Sequence, residues 1–280
     1  MRRVLLNKAK ACPVDLLSTR PASGYGTRRL TRRYTGPCLN MRRSSDNATL
    51  DIWFAGDVLD VQALYAFTGA GNSAYVVTWY DHFGSANCAQ STAGSQPRLV
   101  NVGVVDKVGD RLAPKFSGSQ RLSSSVLAVS VGSTSSLTMT GVFNITSASN
   151  ARALPGYFAS TYDYDNVGSA IFAYAPSATV IAGYRNNSKK SQLTTALGTT
   201  YAACSVYDGA NHSLRLNGSA GTPVASTGTF GSTGTIRFGT DNGGTSTTGS
   251  ICEAVLFASA LSISEQSVAE RNMIQFFGIK

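Results

Sequence analysis

The chain has little charge, only two histidines and no long apolar run, and each shortage removes a class of protein from consideration. Charged residues make up 14% of the 280 residues, while Gly alone accounts for 28. This composition disfavours a helical bundle and is typical of many strands joined by tight turns. No apolar run approaches the roughly 18 residues of a membrane span, so we predict no membrane contact. The apolar stretch at Val4 stops after three residues, so no secretion signal is expected either.

Cysteines are also few, and they lie far apart. The five positions contain no C-x-x-C pair, so we predict neither the common type of zinc site nor a complete disulfide framework. Cys204 and Cys252 fall in predicted strands and are interpreted as buried free thiols in a reducing compartment. We predict no cofactor and no metal. The oxygen-rich segment at 163–166 has two interpretations, an ordinary acidic loop or a calcium site.

The positive charge is concentrated near the N-terminus. Residues 1–43 contain 11 basic side chains and a single acid, Asp15, whereas residues 44–280 contain 13 basic and 14 acidic side chains. The net charges of the two segments are therefore +10 and −1. We predict an extended basic arm over residues 1–46, with few contacts of its own, and a near-neutral domain over residues 47–280.

The predicted arm carries arginines that we expect to form an assembly contact with an acidic protein surface. They are Arg28, Arg29, Arg32, Arg33, Arg42 and Arg43. Nucleic acid is not the expected partner, because the arm offers only Tyr25 and Tyr34 for stacking on bases. We expect the protein to be a homo-oligomer or to be present in many copies on a larger particle.

The rest of the chain has the pattern of an antiparallel β-sandwich. Residues 137–145 alternate large apolar with smaller or polar side chains, and further short strands recur at intervals of roughly 8–12 residues. At the C-terminus, Ser262 and Glu265 have capping-box spacing, Phe276 and Phe277 lie on one apolar face, and Gly278 suits a helix end. We therefore predict an all-β protein with a C-terminal helix packed on the sandwich edge.

Two groups of motifs carry a resemblance to known families. Residues 205–218, 235–241 and 249–265 resemble the central hairpin, last strands and closing helix of concanavalin A-like, laminin-G-type jelly rolls. Tyr34-Thr-Gly-Pro37, Thr78-Trp-Tyr-Asp81 and Gln96-Pro-Arg-Leu-Val100 resemble phage and prophage proteins with this sandwich, which are similar to the catalytic domain of α-L-arabinofuranosidase B. The matches span about residues 30–280. The resemblance implies an antiparallel jelly-roll fold.

The residues that hydrolyse glycosides in the resembled enzymes are incomplete in this sequence. Such chemistry normally needs two carboxylates facing one bond. The resemblance places Asp241 at the general acid, but the region of the nucleophilic Glu reads Ala170-Ile-Phe-Ala-Tyr174, without an acid. Glu253 is expected to face outward or to pair with a basic side chain, and Glu265 and Glu270 are expected to be solvated or to cap the C-terminal helix. His82 and His212 lack the context of a Ser-His-Asp triad. We therefore predict that the protein is not an enzyme.

The leading interpretation is a bacteriophage virion structural protein, made in the bacterial host cytoplasm. Its lectin-like jelly roll would face outward on the tail, fibre, baseplate or capsid, with the arm attached to other virion proteins. Host cell-surface glycan is a possible ligand, and its predicted contacts are Tyr162, Tyr164, Asp241 and Asn242. The alternatives are a glycoside hydrolase of the α-L-arabinofuranosidase type and a soluble lectin without a particle.

Overall fold

The computed structural model describes residues 12–125, 129–130, 136–147, 155–158, 167–174, 180–186, 189–225, 233–239 and 247–280. These residues form two antiparallel β-layers, two α-helices and two short 3-10 helices, at Pro13–Leu16 and Ala93–Ser95. The predicted all-β sandwich with a C-terminal helix is thereby confirmed.

Most strands in the first half of the chain are short. They are β1 (Ser23–Gly26), β2 (Leu39–Arg43), β3 (Thr49–Ile52), β4 (Phe54–Ala55), β5 (Val58–Leu59), β6 (Ala74–Trp79), β7 (Cys88–Ala89), β8 (Arg98–Asn101), β9 (Val104–Val105), β10 (Lys107–Val108), β11 (Arg111–Leu112), β12 (Lys115–Ser117) and β13 (Leu122–Ser123). Helix α1 (Val61–Thr68) lies between β5 and β6.

The second half contains the long strands. They are β14 (Val129–Ser130), β15 (Leu137–Ile145), β16 (Gly156–Phe158), β17 (Val167–Tyr174), β18 (Val180–Asn186), β19 (Lys189–Thr194), β20 (Thr200–Tyr207), β21 (Asn211–Leu216), β22 (Ser219–Ala220), β23 (Val224–Ala225), β24 (Thr233–Phe238) and β25 (Thr248–Phe257). Helix α2 (Ile263–Phe277) follows.

The first layer is built around β25. This strand pairs with β1 on one side and with β15 on the other, and the layer continues through β20 to β21. The second layer runs in the order β3, β2, β6, β7, β13, β24, β16, β17, β18, β19. The layers join where β8 pairs with β6 and β12, because β12 also pairs with β25. Strands β17 to β19 lie across β15, β20 and β21, which makes the two layers a sandwich.

The two layers enclose one main hydrophobic core. Its largest fully buried side chains come from both layers and include Trp79, Phe143, Tyr157, Tyr207 and Phe238. Burial of this size supplies most of the driving force for folding, because each large apolar side chain removed from water contributes about 1.5–3 kcal/mol.

Helix α2 covers the outer face of the first layer, not the sandwich edge where the sequence pattern had placed it. Val142 of β15 and Cys252 of β25 pack against Met273 and Phe277 of the helix. This cover explains why β15 is buried on both faces, although its sequence alternates. All five cysteines are buried free thiols, as predicted for Cys204 and Cys252.

The ends of both helices follow from local sequence. Asp60 accepts a hydrogen bond from the Ala63 amide and caps α1. Ser262 and Glu265 form the predicted capping box of α2, and Gly278 ends the helix with a left-handed φ of 63°. Neither helix of the described part is long and apolar enough to cross a membrane.

The basic N-terminal segment belongs to the sandwich from residue 12 onward. Strand β1 pairs with β25 from Ser23↔Leu256 to Gly26↔Glu253, and β2 lies between β3 and β6. The prediction of an arm with few contacts of its own is therefore wrong for residues 12–46. Charge counting overlooked the apolar side chains of this segment, such as Tyr25, Leu30 and Met41, which are fully buried. Residues 1–11 lie outside the described residues.

Candidate functional site

Four residues are predicted from the sequence to contact glycan. Tyr162, Tyr164, Asp241 and Asn242 all lie outside the described residues. The segment where the resembled enzymes carry their nucleophile, 170–174, belongs to β17, which pairs with β16 and β18.

The six arginines predicted as one assembly contact have different environments. Arg42 donates to Gln96 and Asn47, and Arg43 pairs with Asp46. Arg29 lies 5.1 Å above the Phe54 ring. Arg32 and Arg33 are exposed, and their side chains form no hydrogen bond or ion pair with any described residue.

Arg28 is buried and cannot serve as a surface contact, which corrects its prediction. Its Nε and Nη2 donate to the two carboxylate oxygens of Glu253 at 2.6 and 3.0 Å, and its Nη1 donates to Asn272 at 2.7 Å. The guanidinium also lies 4.2 Å from the centre of the Phe276 ring. The apolar surroundings require this charge to be paired inside the protein, so none of it is left for a partner.

Each of the three glutamates has a structural role. Glu253 pairs with Arg28, as expected of a side chain within an apolar strand. Glu270 is neither solvated nor a cap, contrary to expectation: it is 1% exposed and accepts from Arg215 Nε at 2.7 Å and from the Gly218 amide at 3.0 Å. Glu265 completes the capping box and also accepts from Ser18 and Thr19. None of the three glutamates is therefore unpaired in the described structure.

The two histidines lie in separate buried places. His212 Nε2 is 2.7 Å from Ser205 Oγ, but both side chains are completely buried between β20 and β21. A nucleophile needs access to its substrate, so this pair is a core hydrogen bond.

His82 lines an open cleft of about 620 Å³ on the surface of the domain. Three segments form its walls: residues 14–21, residues 31–34 and residues 82–84. Arg20, Arg32 and Arg33 are exposed and line it together, and we call this feature the arginine cleft. Sequence reasoning missed this cleft, because its walls come from three segments that are separate in the sequence.

Stacked rings hold one side of the arginine cleft. The His82 ring lies 4.5 Å from the Tyr34 ring with an interplanar angle of 17°, and the Phe54 ring meets it edge-on at 5.5 Å. His82 Nδ1 accepts the Leu30 amide at 3.2 Å, so the neutral ring carries its proton on Nε2. Burial, together with the charge of Arg29, lowers the pKa of His82 to about 3.

A buried carboxylate fixes the turn that follows. Asp81 accepts hydrogen bonds from the amides of Gly24, Phe83 and Ala86, and it is 2% exposed. Burial raises the pKa of Asp81, although these backbone hydrogen bonds favour its ionised form. Gly24 packs closely here, because a Cβ at this position would lie 2.7 Å from the Phe83 ring and would displace that ring. The wall at 82–84 is therefore built on rigid backbone.

The described part of the chain contains no group of three or more His, Cys, Asp or Glu side chains arranged to hold a metal ion.

Comparison with known proteins identifies the fold. No protein-family model matches the chain, and no curated protein resembles it in sequence. A solved GH54 α-L-arabinofuranosidase soaked with 4-nitrophenyl α-L-arabinofuranoside superposes with a TM-score of 0.75 at 14% identity, covering 95% of this chain and 65% of the enzyme. An arabinofuranosidase complexed with arabinofuranosyl-α-1,2-xylobiose gives 0.69 at 14% identity with the same coverage. A Trypanosoma rangeli sialidase gives 0.52 at 14% identity over 71% of this chain and 31% of the sialidase.

These similarities contradict the prediction that the protein is not an enzyme. Nearly the whole chain follows the fold of arabinofuranosidases whose structures contain a substrate or its analogue, although it spans only 65% of their length. The prediction failed because it sought the second carboxylate in a single linear segment, whereas two acids need only be close in space. The resemblance to arabinofuranosidases is confirmed at the level of fold, and the phage resemblance stays a prediction.

Proposed function

We propose that this protein acts on glycans as a glycoside hydrolase of the α-L-arabinofuranosidase type. The observation that carries the proposal is the superposition on a GH54 arabinofuranosidase over 95% of the chain. Among the described residues, the Ser205–His212 contact does not offer an alternative catalytic site, because both side chains are buried in the core.

The proposed mechanism uses two carboxylates, one of which is Asp241 as general acid, by its resemblance to the enzymes. Each glutamate is held in a structural contact, so we propose that the second carboxylate is an aspartate. Seven described aspartates already accept hydrogen bonds within the fold: Asp15, Asp46, Asp51, Asp60, Asp81, Asp106 and Asp208.

Two further aspartates, Asp57 and Asp110, stand at exposed turns between the paired strands β4–β5 and β10–β11. The pKa of a catalytic carboxylate is usually adjusted by burial and by neighbouring groups. A carboxylate on a water-exposed turn lacks both, so it is a poor candidate for general acid–base catalysis. The remaining candidates are Asp163 and Asp165, and we propose that one of them is the partner of Asp241.

Release of 4-nitrophenol from 4-nitrophenyl α-L-arabinofuranoside tests this function. Wild-type protein should turn over the substrate, and Asp241→Asn should lower kcat by about 100-fold or more, as expected for loss of a general acid. One of Asp163→Asn and Asp165→Asn should have a comparable effect. Asp110→Asn, at an exposed turn, is the matched control and should be fully active. Absence of turnover by folded wild-type protein would overturn the proposal.

We further propose that the module is carried on a bacteriophage particle, where it would meet host cell-surface glycan. The support is the resemblance of residues 34–37, 78–81 and 96–100 to phage and prophage proteins. Mass spectrometry of purified particles and labelling with an antibody against residues 47–280 test this location. Particles that lack the protein would refute it, whatever the outcome of the hydrolysis assay.

A further inference from the structure

The guanidinium groups of the arginine cleft stand out because nothing in the described structure pairs with them. Several arginines outside the cleft have acceptors, since Arg98 binds Asp106 and Arg215 binds Glu270. By contrast, the side chains of Arg20, Arg32 and Arg33 form no hydrogen bond or ion pair with any described residue, yet they line one concavity. Three guanidinium groups whose N–H donors have no acceptor in the described structure can together bind an anion.

Asp15 lines the arginine cleft, and Asp81 and Glu265 bond to residues that line it, but all three accept hydrogen bonds from uncharged donors. Asp15 accepts from Thr31 Oγ1 at 2.7 Å and from the Arg32 amide at 3.0 Å. Asp81 accepts three backbone amides below the wall at 82–84. Glu265 accepts from Ser18 and Thr19 at the edge of the cleft. These acids fix the walls through uncharged donors and leave the guanidinium groups free for a ligand.

The walls are held before any ligand arrives. The Val14 amide donates to the Leu30 carbonyl at 3.1 Å, which ties residues 14–21 to residues 31–34. His82, 4% exposed, supports Tyr34 from below, and its Nε2–H has no hydrogen-bond partner within the described residues. A preformed site loses less conformational entropy on binding, so modest contacts suffice for measurable affinity.

We propose that the arginine cleft binds an anionic saccharide unit, such as a uronate or a phosphorylated or sulfated sugar. Its volume of about 620 Å³ is that of a small-ligand pocket, not of a flat protein interface. The rings of Tyr34 and Phe83 line it beside the arginines, which suits a ligand with one ring face and one charged group. The saccharide part rests on the proposed action on glycans. The anion part rests on the geometry alone.

Calorimetric titration of the full chain with trigalacturonate at low salt tests the inference. Binding is expected, and it should weaken as salt is added because exposed charges are screened. The triple variant Arg20→Gln, Arg32→Gln, Arg33→Gln should bind at least 10-fold more weakly. Arg121→Gln is the matched control, since Arg121 is exposed, is without a side-chain partner in the described structure and lies outside the cleft.

Competing probes distinguish the sources of the anion. Inorganic phosphate and sulfate should displace trigalacturonate, and glucose 6-phosphate should bind if the charged group is a phosphate. Neutral arabinotriose should not bind at this site. Equal binding of arabinotriose, unchanged affinity in the triple variant, or tighter binding of a short DNA strand would overturn the proposal. The hydrolysis assay uses a neutral substrate and Asp241, so failure of either proposal can be told apart from failure of the other.

Discussion

Arg28 and Glu253 form a buried, two-pronged ion pair between residues 225 positions apart, with both side chains no more than 3% exposed. Arg28 follows β1, and Glu253 lies on β25 opposite Gly26. The pair therefore joins the basic N-terminal segment to the strand at the centre of the first layer. It also anchors α2, because Arg28 donates to Asn272 and lies against Phe276.

Removing either partner of this pair should destabilise the protein strongly. Arg28→Met or Glu253→Leu leaves an uncompensated buried charge, which costs about 3–5 kcal/mol. The double variant should be markedly more stable than the sum of the single losses predicts, because it leaves no unpaired charge. Urea denaturation of the two single variants and the double variant measures the coupling.

The exposed pair between Arg43 and Asp46 provides the control for this measurement. The side chains of Arg43 and Asp46 are 34% and 48% exposed, so solvent screens their attraction. Asp46→Asn should be far less destabilising than Glu253→Leu. Comparable losses at the two sites would show that burial of the Arg28 pair does not determine its contribution.

Helix α2 should be needed for the stability of the sandwich. Phe277 is 4% exposed and fills the cluster with Val142 and Cys252, so Phe277→Ala should cost about 3–5 kcal/mol. Ile263 is on the same helix but 67% exposed, and Ile263→Ala should change stability by less than about 0.5 kcal/mol. Thermal melting of both variants compares them, and equal melting temperatures would contradict the packing role.

Glu265 should link the N-terminal segment to α2 in a pH-dependent manner. Burial opposes its ionisation, but hydrogen bonds from Ser18, Thr19 and Ser262 together outweigh that effect and lower the pKa of Glu265 to about 2. A lowered acid pKa gives stability that is present above the usual value near 4.5 and is lost as the pH falls through about 2. The stability difference between wild type and Glu265→Gln should therefore shrink between pH 5 and pH 2.

A difference between wild type and Glu265→Gln that stays constant over this range would show that the contribution does not depend on the charge. Ser18→Ala provides an independent check, because it removes one donor to the carboxylate without touching the helix cap. It should lower stability at pH 5 and have less effect at pH 2.

Local features of this fold were predictable from the sequence, whereas long-range pairings were not. The capping box of Ser262 and Glu265 spans four residues, so its geometry follows from the helix itself. The partner of Arg28 could not be identified from the sequence, because only the folded sheet brings β25 beside β1. Charge counting assigned all basic residues of the N-terminal segment to the surface. It was wrong for Arg28, because the partner of Arg28 is the buried Glu253.

The arginine cleft shows the same limit for the candidate site. Arg32 and Arg33 stand out in the sequence, but Arg20 joins them because the fold places residues 14–21 beside residues 31–34, where the Val14 amide bonds to Leu30. The contacts of His82 with Tyr34 and Leu30 cross 48 and 52 positions of sequence. Pairings over such distances follow from the topology, which periodicity and spacing do not encode.

His82 should make the protein sensitive to mild acid. Its ring is buried against Tyr34 and Phe54, and burial with the nearby charge of Arg29 lowers its pKa to about 3. In the unfolded chain a histidine titrates near 6.5. A base with a lowered folded-state pKa contributes stability that is present above about 6.5 and is lost as the pH falls toward 3. Lowering the pH from about 6.5 toward 3 therefore favours the unfolded chain.

Comparison of wild type with His82→Gln and His82→Phe at pH 7.5 and pH 4.5 tests this sensitivity. Two pH units below the unfolded pKa, wild type should have lost about 2–3 kcal/mol through this residue, since each unit corresponds to about 1.4 kcal/mol. Both variants lack the titrating group and should lose less over the same interval, even if His82→Phe starts lower because it cannot accept the Leu30 amide. Parallel stability curves for all three proteins would show that His82 already takes up its proton in the folded state, and that its ring is more accessible to water than its burial against Tyr34 implies.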